Sequence, residues 1–150
     1  MKVVIQRVKE ASVSIEGEVH SEIGRGLMIL AGIQADDTDE DIEWLVQKII
    51  SLRIFDDAEG VMNLSVKEID GDVLIVSQFT LMARVKKGNR PSYIDAAKPE
   101  ISIPIYERFC QQFSVALGKA VKTGVFGADM KIALINDGPV TIIIDSKNRI

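Results

Sequence analysis

Apolar and polar residues alternate through the first third of the chain, and this period-two pattern predicts a meander of β-strands. Glycine-containing turn signals, Glu16-Gly17 and Gly24-Arg25-Gly26, separate the apolar runs. The run at 19–23 allows one more short strand in a hairpin. The predicted strands cover residues 2–9, 11–16 and 26–33.

The pattern changes to helical spacing after residue 37 and predicts a helix from about Thr38 to Arg53. The apolar face consists of Ile42, Leu45, Val46, Ile49 and Leu52. Thr38 is the expected N-cap. Six acidic residues lie within the eight-residue stretch 36–43, where the helix dipole favours negative charge. We therefore interpret this stretch as a helix start rather than a metal site.

A second helix is predicted to start near Ser102, with Pro104 in its first turn, where a missing N–H costs nothing. Its buried stripe comprises Ile105, Phe109, Phe113, Ala116, Leu117 and Ala120. Cys110 and Met62 are expected to be packing residues rather than reactive ones.

Three further strands are predicted, at 72–81 after the Asp70-Gly71 turn, at 129–135 and at 140–145, the last two joined by Asn136-Asp137-Gly138-Pro139. The expected total is about seven strands and two helices. The predicted fold is mixed α/β: a layered mixed β-sheet, partly barrel-like, with two helices packed on one side.

Composition indicates which broad class of protein the chain belongs to. The 150 residues are 47% hydrophobic and 27% charged, which is typical of a soluble globular protein. No linker or repeat divides them, so we expect one domain. No apolar run approaches the ~20 residues of a membrane helix, and no secretion signal is recognisable. A single cysteine excludes an intramolecular disulfide and fits a reducing compartment, so we expect a cytoplasmic protein.

The inventory of reactive residues excludes several kinds of chemistry. The chain has one histidine, His20 in a predicted hairpin, and one cysteine, Cys110 in a predicted helix. No motif supports a Ser-His-Asp or Cys-His arrangement, and no metal-ligand spacing or phosphate-binding glycine loop is present. We expect no metal and no cofactor. An enzyme with this inventory would depend on positioning and hydrogen-bond donors.

Two polar stretches remain as candidates for function. The strand 72–81 ends in LIVSQFTL, where Gln78 and Thr80 should share one face and Ser77 the other. These groups either satisfy the local backbone at a strand end or line a ligand site. The stretch RVKKGNR (84–90) carries four basic residues although the net charge is −4. It is either a solvated loop or a local phosphate contact.

Read together, SQFTL (77–81) and NDGPVT (136–141) resemble the D-aminoacyl-tRNA deacylase family. The resemblance extends over nearly the whole chain, with no departure at the motif positions. It includes VIQRVKEASVSI, GLMILAGI, RIFDDAEGVMNLSV, GNRPSY with a following A-x-x-P, and GVFGADMKIALINDGPVT. The family hydrolyses the ester that joins a D-amino acid to tRNA, and it also removes glycine from alanine tRNA. Its members are homodimers with active sites at the subunit interface.

The resemblance implies that Ser77, Gln78 and Thr80 line a catalytic pocket. Thr80 is the family's candidate nucleophile, but a threonine without an adjacent base is a poor nucleophile. We therefore expect Thr80 and nearby backbone N–H groups to orient the ester while the substrate's 2′-hydroxyl assists the attacking water.

Gly138 and Pro139 would enter the site from the partner subunit, joined by a cis peptide bond. Their carbonyl oxygens would accept hydrogen bonds from the α-ammonium of the amino acid. An L-residue held by the same contacts would clash with this backbone, whereas a D-residue or glycine would not. Arg7 resembles the family's arginine that braces the Gly-Pro loop.

The remaining residues implied by the resemblance contact the RNA. Substrate-binding residues would be Phe79 together with a wall for the terminal adenosine formed by Phe126, Gly127, Ala128 and Met130. From residue type alone, a plain core position is the favoured interpretation of Phe126. Phosphates near the acceptor end would meet Arg84, Lys86, Lys87 and Arg90.

Three functions are therefore weighed. The first is a proofreading esterase acting on D-aminoacyl-tRNA. The second is a tRNA-binding module without turnover, and the third is a dimer that binds a small molecule at its interface. SQFTL together with NDGPVT favours the first.

Overall fold

The computed structural model describes residues 1–150 and contains eight strands, two α-helices and one 3-10 turn. The strands are β1 (Lys2–Ile15), β2 (Glu18–Ile23), β3 (Gly26–Gly32), β4 (Phe55–Asp56), β5 (Met62–Leu64), β6 (Asp72–Ser77), β7 (Lys122–Thr123) and β8 (Lys131–Asp145). The helices are α1 (Asp39–Ser51) and α2 (Pro99–Leu117), and the 3-10 turn covers Phe79–Met82.

A mixed, strongly curved sheet forms the body of the molecule, nearly closed into a barrel. Strand β1 pairs along one edge with β3 and β2 and along the other with β8, all antiparallel. Strands β3, β6 and β7 then run parallel to one another. Together with the two helices, this arrangement confirms the predicted mixed α/β, partly barrel-like fold.

Strand alternation divides the core into two layers, one on each face of the sheet. Ile29 and Ile75 face the larger layer, which also receives the buried faces of both helices. Met28 and Leu74 face the smaller layer, which is enclosed by β2 and β8. Strand β6 is therefore buried on both faces, as its continuous run of apolar residues requires.

Helix α1 begins as the sequence predicts. Thr38 is the N-cap, and the Asp41 carboxylate accepts hydrogen bonds from the Thr38 N–H (2.9 Å) and from Lys147 Nζ (2.8 Å). Desolvation on burial opposes ionisation, but these hydrogen bonds outweigh it and hold the pKa of Asp41 well below its usual value. The acidic stretch is thus part of the helix start.

Several predicted boundaries were wrong. The stretches 2–9 and 11–16 form one strand, and 129–135 and 140–145 form another, because each of these long strands pairs continuously with its neighbour around a bulge. Helix α2 begins at Pro99, which places Pro104 in the second turn. The helix ends before Ala120 at Gly118, whose φ of 83° is the left-handed C-terminal conformation.

Two further differences concern β6 and the packing residues. Strand β6 ends at Ser77 rather than at residue 81, and the chain turns into the 3-10 turn. Cys110 is buried as predicted, whereas Met62 is 53% exposed on the two-stranded ribbon of β4 and β5. No helix of the chain is both long enough and apolar enough to cross a membrane.

Candidate active site

The end of β6 and the 3-10 turn position the polar residues of SQFTL. The Gln78 N–H donates to the Ala31 carbonyl of β3 (2.7 Å), which ties the turn to the sheet. Gly32 makes this approach possible, because an added Cβ would lie 2.9 Å from Leu81 Cβ and 3.0 Å from the Gln78 carbonyl oxygen. A side chain at position 32 would displace the turn.

Gln78 and Thr80 lie close together because the chain turns after Ser77, and not because they share one face of a strand, as the sequence predicted. The Gln78 amide Nε2 donates to the Thr80 hydroxyl at 2.5 Å. Ser77, Gln78 and Thr80 are half-buried, and Phe79 is 54% exposed. These neutral polar groups therefore sit at the surface, where a ligand can reach them.

A pocket of about 310 Å³ opens beside this turn. Its lining includes three residues of SQFTL, Ser77, Gln78 and Phe79. Opposite them are Phe126, Gly127, Ala128 and Met130, from the segment that leads into β8. Thr80 does not line the pocket itself but contacts it through Gln78. Seven of the expected site residues thus converge on one cavity.

The wall formed by residues 126–130 is supported from behind. The Tyr106 ring lies 5.9 Å from the Phe126 ring, and its hydroxyl donates to the Ile75 carbonyl at 2.8 Å. Burial raises the pKa of Tyr106 far above its usual value, so it remains a neutral donor. An added Cβ at Gly124 would meet the Met130 sulfur, so the glycine lets Met130 pack closely against this segment.

The pocket lining has almost no residues that could act as a general acid or base. Its one titratable lining residue is Asp129, whose carboxylate is 85% exposed and paired with Lys131. His20 lies exposed on β2 and does not line the pocket. Burial raises the pKa of the Cys110 thiol to about 12, inside α2. None of these groups is placed to activate Thr80 as a nucleophile.

The Gly138-Pro139 segment forms a bulge in β8. Gln6 pairs with Thr141 and Val8 with Asn136, so residues 137–140 all lie opposite Arg7. The Gly138-Pro139 peptide bond is cis, and both residues are exposed. Neither lines the pocket of its own chain.

Arg7 is buried beneath this bulge. Its Nε donates to the Asp137 carbonyl (2.9 Å) and its Nη1 to the Ile54 carbonyl (2.7 Å). The Asp56 carboxylate lies 3.5 Å from Nη1. An added Cβ at Gly138 would lie 2.9 Å from Arg7 Nη2, so only glycine fits over the guanidinium. Arg7 thus links the bulge to the segment that begins β4.

The basic stretch 84–90 is divided in two. Arg84 forms a bidentate ion pair with Asp95, and the Arg84 and Ser92 backbones exchange hydrogen bonds of 2.8 and 3.1 Å. Lys86, Lys87 and Arg90 are exposed and form no ion pair. Arg84 therefore closes the loop, while the other three cations face solvent.

Sequence reasoning missed five residues around the site. Ile54 and Asp56 hold Arg7, Asp95 holds Arg84, and Tyr106 supports Phe126. A fifth, Tyr93, packs edge-on against Phe79. Two of the segments quoted above, RIFDD and GNRPSY, contain Ile54, Asp56 and Tyr93, but no local pattern reveals which distant partner each one meets.

Comparison with known proteins gives a consistent result. The family model described as D-Tyr-tRNA(Tyr) deacylase matches residues 4–145. A D-aminoacyl-tRNA deacylase of Porphyromonas gingivalis is 66% identical over 149 residues, 99% of each chain. One from Bacteroides fragilis is 65% identical over 149 residues, again 99% of each chain.

Two solved structures are similar over nearly the full length. The first, a c-Myc DNA Unwinding Element Binding Protein, has a TM-score of 0.92 and 42% identity, covering 97% of this chain and 98% of that one. The second, a probable eukaryotic D-amino acid tRNA deacylase, has a TM-score of 0.82 and 23% identity, covering 95% and 97%. The second likeness shows the shared fold.

Proposed function

This chain belongs to the D-Tyr-tRNA(Tyr) deacylase family, and from that premise we propose that it hydrolyses the ester bond of D-aminoacyl-tRNA. The products are a free D-amino acid and tRNA. The observation that carries the proposal is the pocket in which Ser77, Gln78 and Phe79 face residues 126–130. The 150 residues then act as one catalytic domain in the cytoplasm, where translation uses the tRNA.

The chemistry that this pocket supports is positioning rather than strong protein acid–base catalysis. Because the Thr80 hydroxyl accepts the Gln78 amide proton, its own O–H proton is free to donate to the ester. Thr80 and the adjacent backbone N–H groups then orient the carbonyl, and the backbone N–H groups stabilise the oxyanion. Ser77 holds the same end of the substrate.

The substrate supplies the group that the pocket lacks. Water attacks the ester carbonyl carbon, and the ribose 2′-hydroxyl relays a proton from that water to the 3′-oxygen as its bond to carbon breaks. The absence of a buried base beside Thr80 supports this assignment, since the one titratable lining residue, Asp129, is exposed and paired.

The terminal adenosine occupies the wall opposite the turn. Phe126 offers a ring for stacking, held in place by Tyr106. Gly127 has a φ of 78° and open space around it, so the ribose can approach the backbone closely. Ala128 and Met130 complete the apolar surface.

Stereochemistry is controlled by a second copy of the chain. Gly138 and Pro139 are exposed and braced by Arg7, yet they do not line their own chain's pocket. Strand β8 pairs only with β1, so its outer edge has no partner strand within the chain, and Ile143 on it is 73% exposed. A homodimer buries this surface and inserts the Gly-Pro loop into the neighbouring pocket.

Within that composite site, the Gly138 and Pro139 carbonyl oxygens accept hydrogen bonds from the α-ammonium. An L-side chain is then directed at the backbone and is rejected, whereas D-residues and glycine fit. Glycine mischarged on alanine tRNA is therefore also a substrate. Lys86, Lys87 and Arg90 contact phosphates near the acceptor end, with Arg84 holding their loop through Asp95.

The direct test measures ester loss from D-tyrosyl-tRNA and L-tyrosyl-tRNA at equal enzyme concentration. We expect rapid loss of the D-ester only, and a slower rate for Gln78→Ala, which removes the amide that orients Thr80. Binding of both without hydrolysis would identify a tRNA-binding module instead. Failure to bind tRNA would favour a small-molecule site.

A further inference from the structure

The fold leaves two aromatic side chains exposed, and they contact each other. Phe79 is 54% and Tyr93 39% exposed, whereas the other six aromatic residues are buried or half-buried. The two ring centroids lie 5.1 Å apart with the planes at 76°. An edge-to-face pair leaves ring faces open to solvent, so this pair offers a flat apolar surface to a ligand.

This aromatic pair borders the candidate active site and is held rigidly there. Phe79 itself lines the pocket. Tyr93 is fixed by backbone hydrogen bonds on both sides, between Ser92 and Arg84 and from the Ala96 N–H to the Tyr93 carbonyl (3.0 Å). A ligand leaving the pocket on this side meets a preorganised ring rather than a flexible loop.

The charge around the aromatic pair identifies the class of ligand. The loop that connects Phe79 to Tyr93 in sequence carries Lys86, Lys87 and Arg90, none of which forms an ion pair. Two exposed aromatic rings joined by a loop with three unpaired cations fit single-stranded nucleic acid, whose bases stack and whose phosphates are neutralised. An apolar protein partner would not use the three cations.

We propose that Tyr93, supported by Phe79, stacks the base of the nucleotide that precedes the terminal adenosine of tRNA. The inference rests on the proposed function, because it takes the terminal adenosine and its ester to occupy the adjoining pocket. Stacking adds affinity without reading base identity, since every base presents an aromatic face. The site therefore accepts the common acceptor end of any tRNA.

The test compares kcat/KM on three substrates: D-tyrosyl-adenosine, the D-tyrosyl ester of cytidylyl-adenosine, and D-tyrosyl-tRNA. For the unmodified protein, adding the cytidine raises kcat/KM about tenfold, which corresponds to one stacked base. Tyr93→Ala loses this gain but keeps the rate on D-tyrosyl-adenosine. Tyr93→Phe, which retains the ring, keeps both. Replacing the cytidine with uridine or guanosine leaves the gain within about threefold.

Two results would overturn the inference. One is an equal loss on all three substrates in Tyr93→Ala, which would place Tyr93 against the adenosine or against a second copy of the chain. The other is the absence of any gain from the added cytidine in the unmodified protein. Light scattering tests whether Tyr93 instead contacts a second copy of the chain. If the molecular mass of Tyr93→Ala in solution differs from that of the unmodified protein, the proposal is also contradicted.

A binding measurement separates this inference from the proposed function. Fluorescence anisotropy of a labelled CCA trinucleotide requires no hydrolysis, and Tyr93→Ala should weaken its binding about tenfold while Tyr93→Phe does not. If the unmodified protein hydrolyses no D-ester, the proposed function fails, and the anisotropy difference still decides whether Tyr93 stacks a base. Equal binding by all three proteins would exclude the stacking role.

Discussion

The hydrogen bond between the Gln78 amide and the Thr80 hydroxyl supports the role proposed for Thr80. Thr80 accepts at 2.5 Å from a neutral donor, and a neutral amide cannot remove its proton. A hydroxyl in this position is an orienting donor rather than an activated nucleophile. At the scale of single residues, the proposed mechanism therefore has the site hold the ester and the substrate carry out the proton transfer.

The roles of Thr80 and the substrate's 2′-hydroxyl can be ranked by single-turnover hydrolysis of D-tyrosyl-tRNA. Replacing the terminal ribose 2′-hydroxyl with hydrogen should slow hydrolysis by roughly a hundredfold or more, since general acid–base assistance is worth about that much. Thr80→Ala should cost about tenfold, the value of one hydrogen bond, and Thr80→Ser should restore the rate. A larger loss from Thr80→Ala than from the 2′-deoxy substrate would make Thr80 the nucleophile.

At the scale of elements, local patterns predicted the helix of residues 38–53 well but not the end of β6. The N-cap, the acidic first turn and the apolar face of α1 all lie within one stretch of sequence. Strand β6 instead ends at Ser77 because the turn that follows packs against Gly32 and hydrogen-bonds to Ala31. Both residues belong to β3, which is far away in the sequence. Family resemblance was enough to recognise SQFTL, GADM (127–130) and Arg7 as site residues. The contacts of Asp56 and Tyr106 depend on tertiary packing, which no local pattern reveals.

The helix start gives a pH-dependent prediction. Asp41→Asn should lower the free energy of unfolding by about 1–2 kcal/mol at pH 7, because it weakens the bonds to Thr38 and Lys147. The pKa of Asp41 is lowered by folding. Its contribution to the free energy of unfolding is therefore fully present above the unfolded pKa of about 4 and is lost as the pH falls further. Urea denaturation should therefore show that the free energies of unfolding of Asp41→Asn and the unmodified protein become more similar below pH 4.

The matched control for this experiment is Asp39→Asn. Asp39 also lies in the first turn of α1, but its pair with Arg108 is exposed, so the change should cost less than about 0.5 kcal/mol. The role assigned to Asp41 would be contradicted if both substitutions lowered the free energy of unfolding equally. It would also be contradicted if the gap between Asp41→Asn and the unmodified protein widened as the pH fell.

At the scale of the whole molecule, one chain contains both halves of the proposed site but does not bring them together. The pocket lies beside the turn that follows β6, while Gly138 and Pro139 project from β8 above Arg7. The exposed apolar residues and unpaired edge of β8 support the proposed contact with a second copy. A two-fold dimer would present the same surface from both copies and complete two equivalent sites.

Complementation between two impaired variants tests this shared site most directly. Gln78→Ala damages the pocket, and Gly138→Ala damages the loop because its Cβ would meet the Arg7 guanidinium at 2.9 Å. Gly60→Ala is the control for backbone strain, because Gly60 has a φ of 76° with open space around it, and this variant should stay active.

Coexpressing the two variants with different affinity tags and purifying through both tags isolates the heterodimer. One of its two sites then contains an intact pocket and an intact loop, so D-tyrosyl-tRNA deacylation should return to about half of the unmodified rate. If no heterodimer is recovered, or if its rate is no higher than those of the two parent variants, the two halves of the site do not come from different chains.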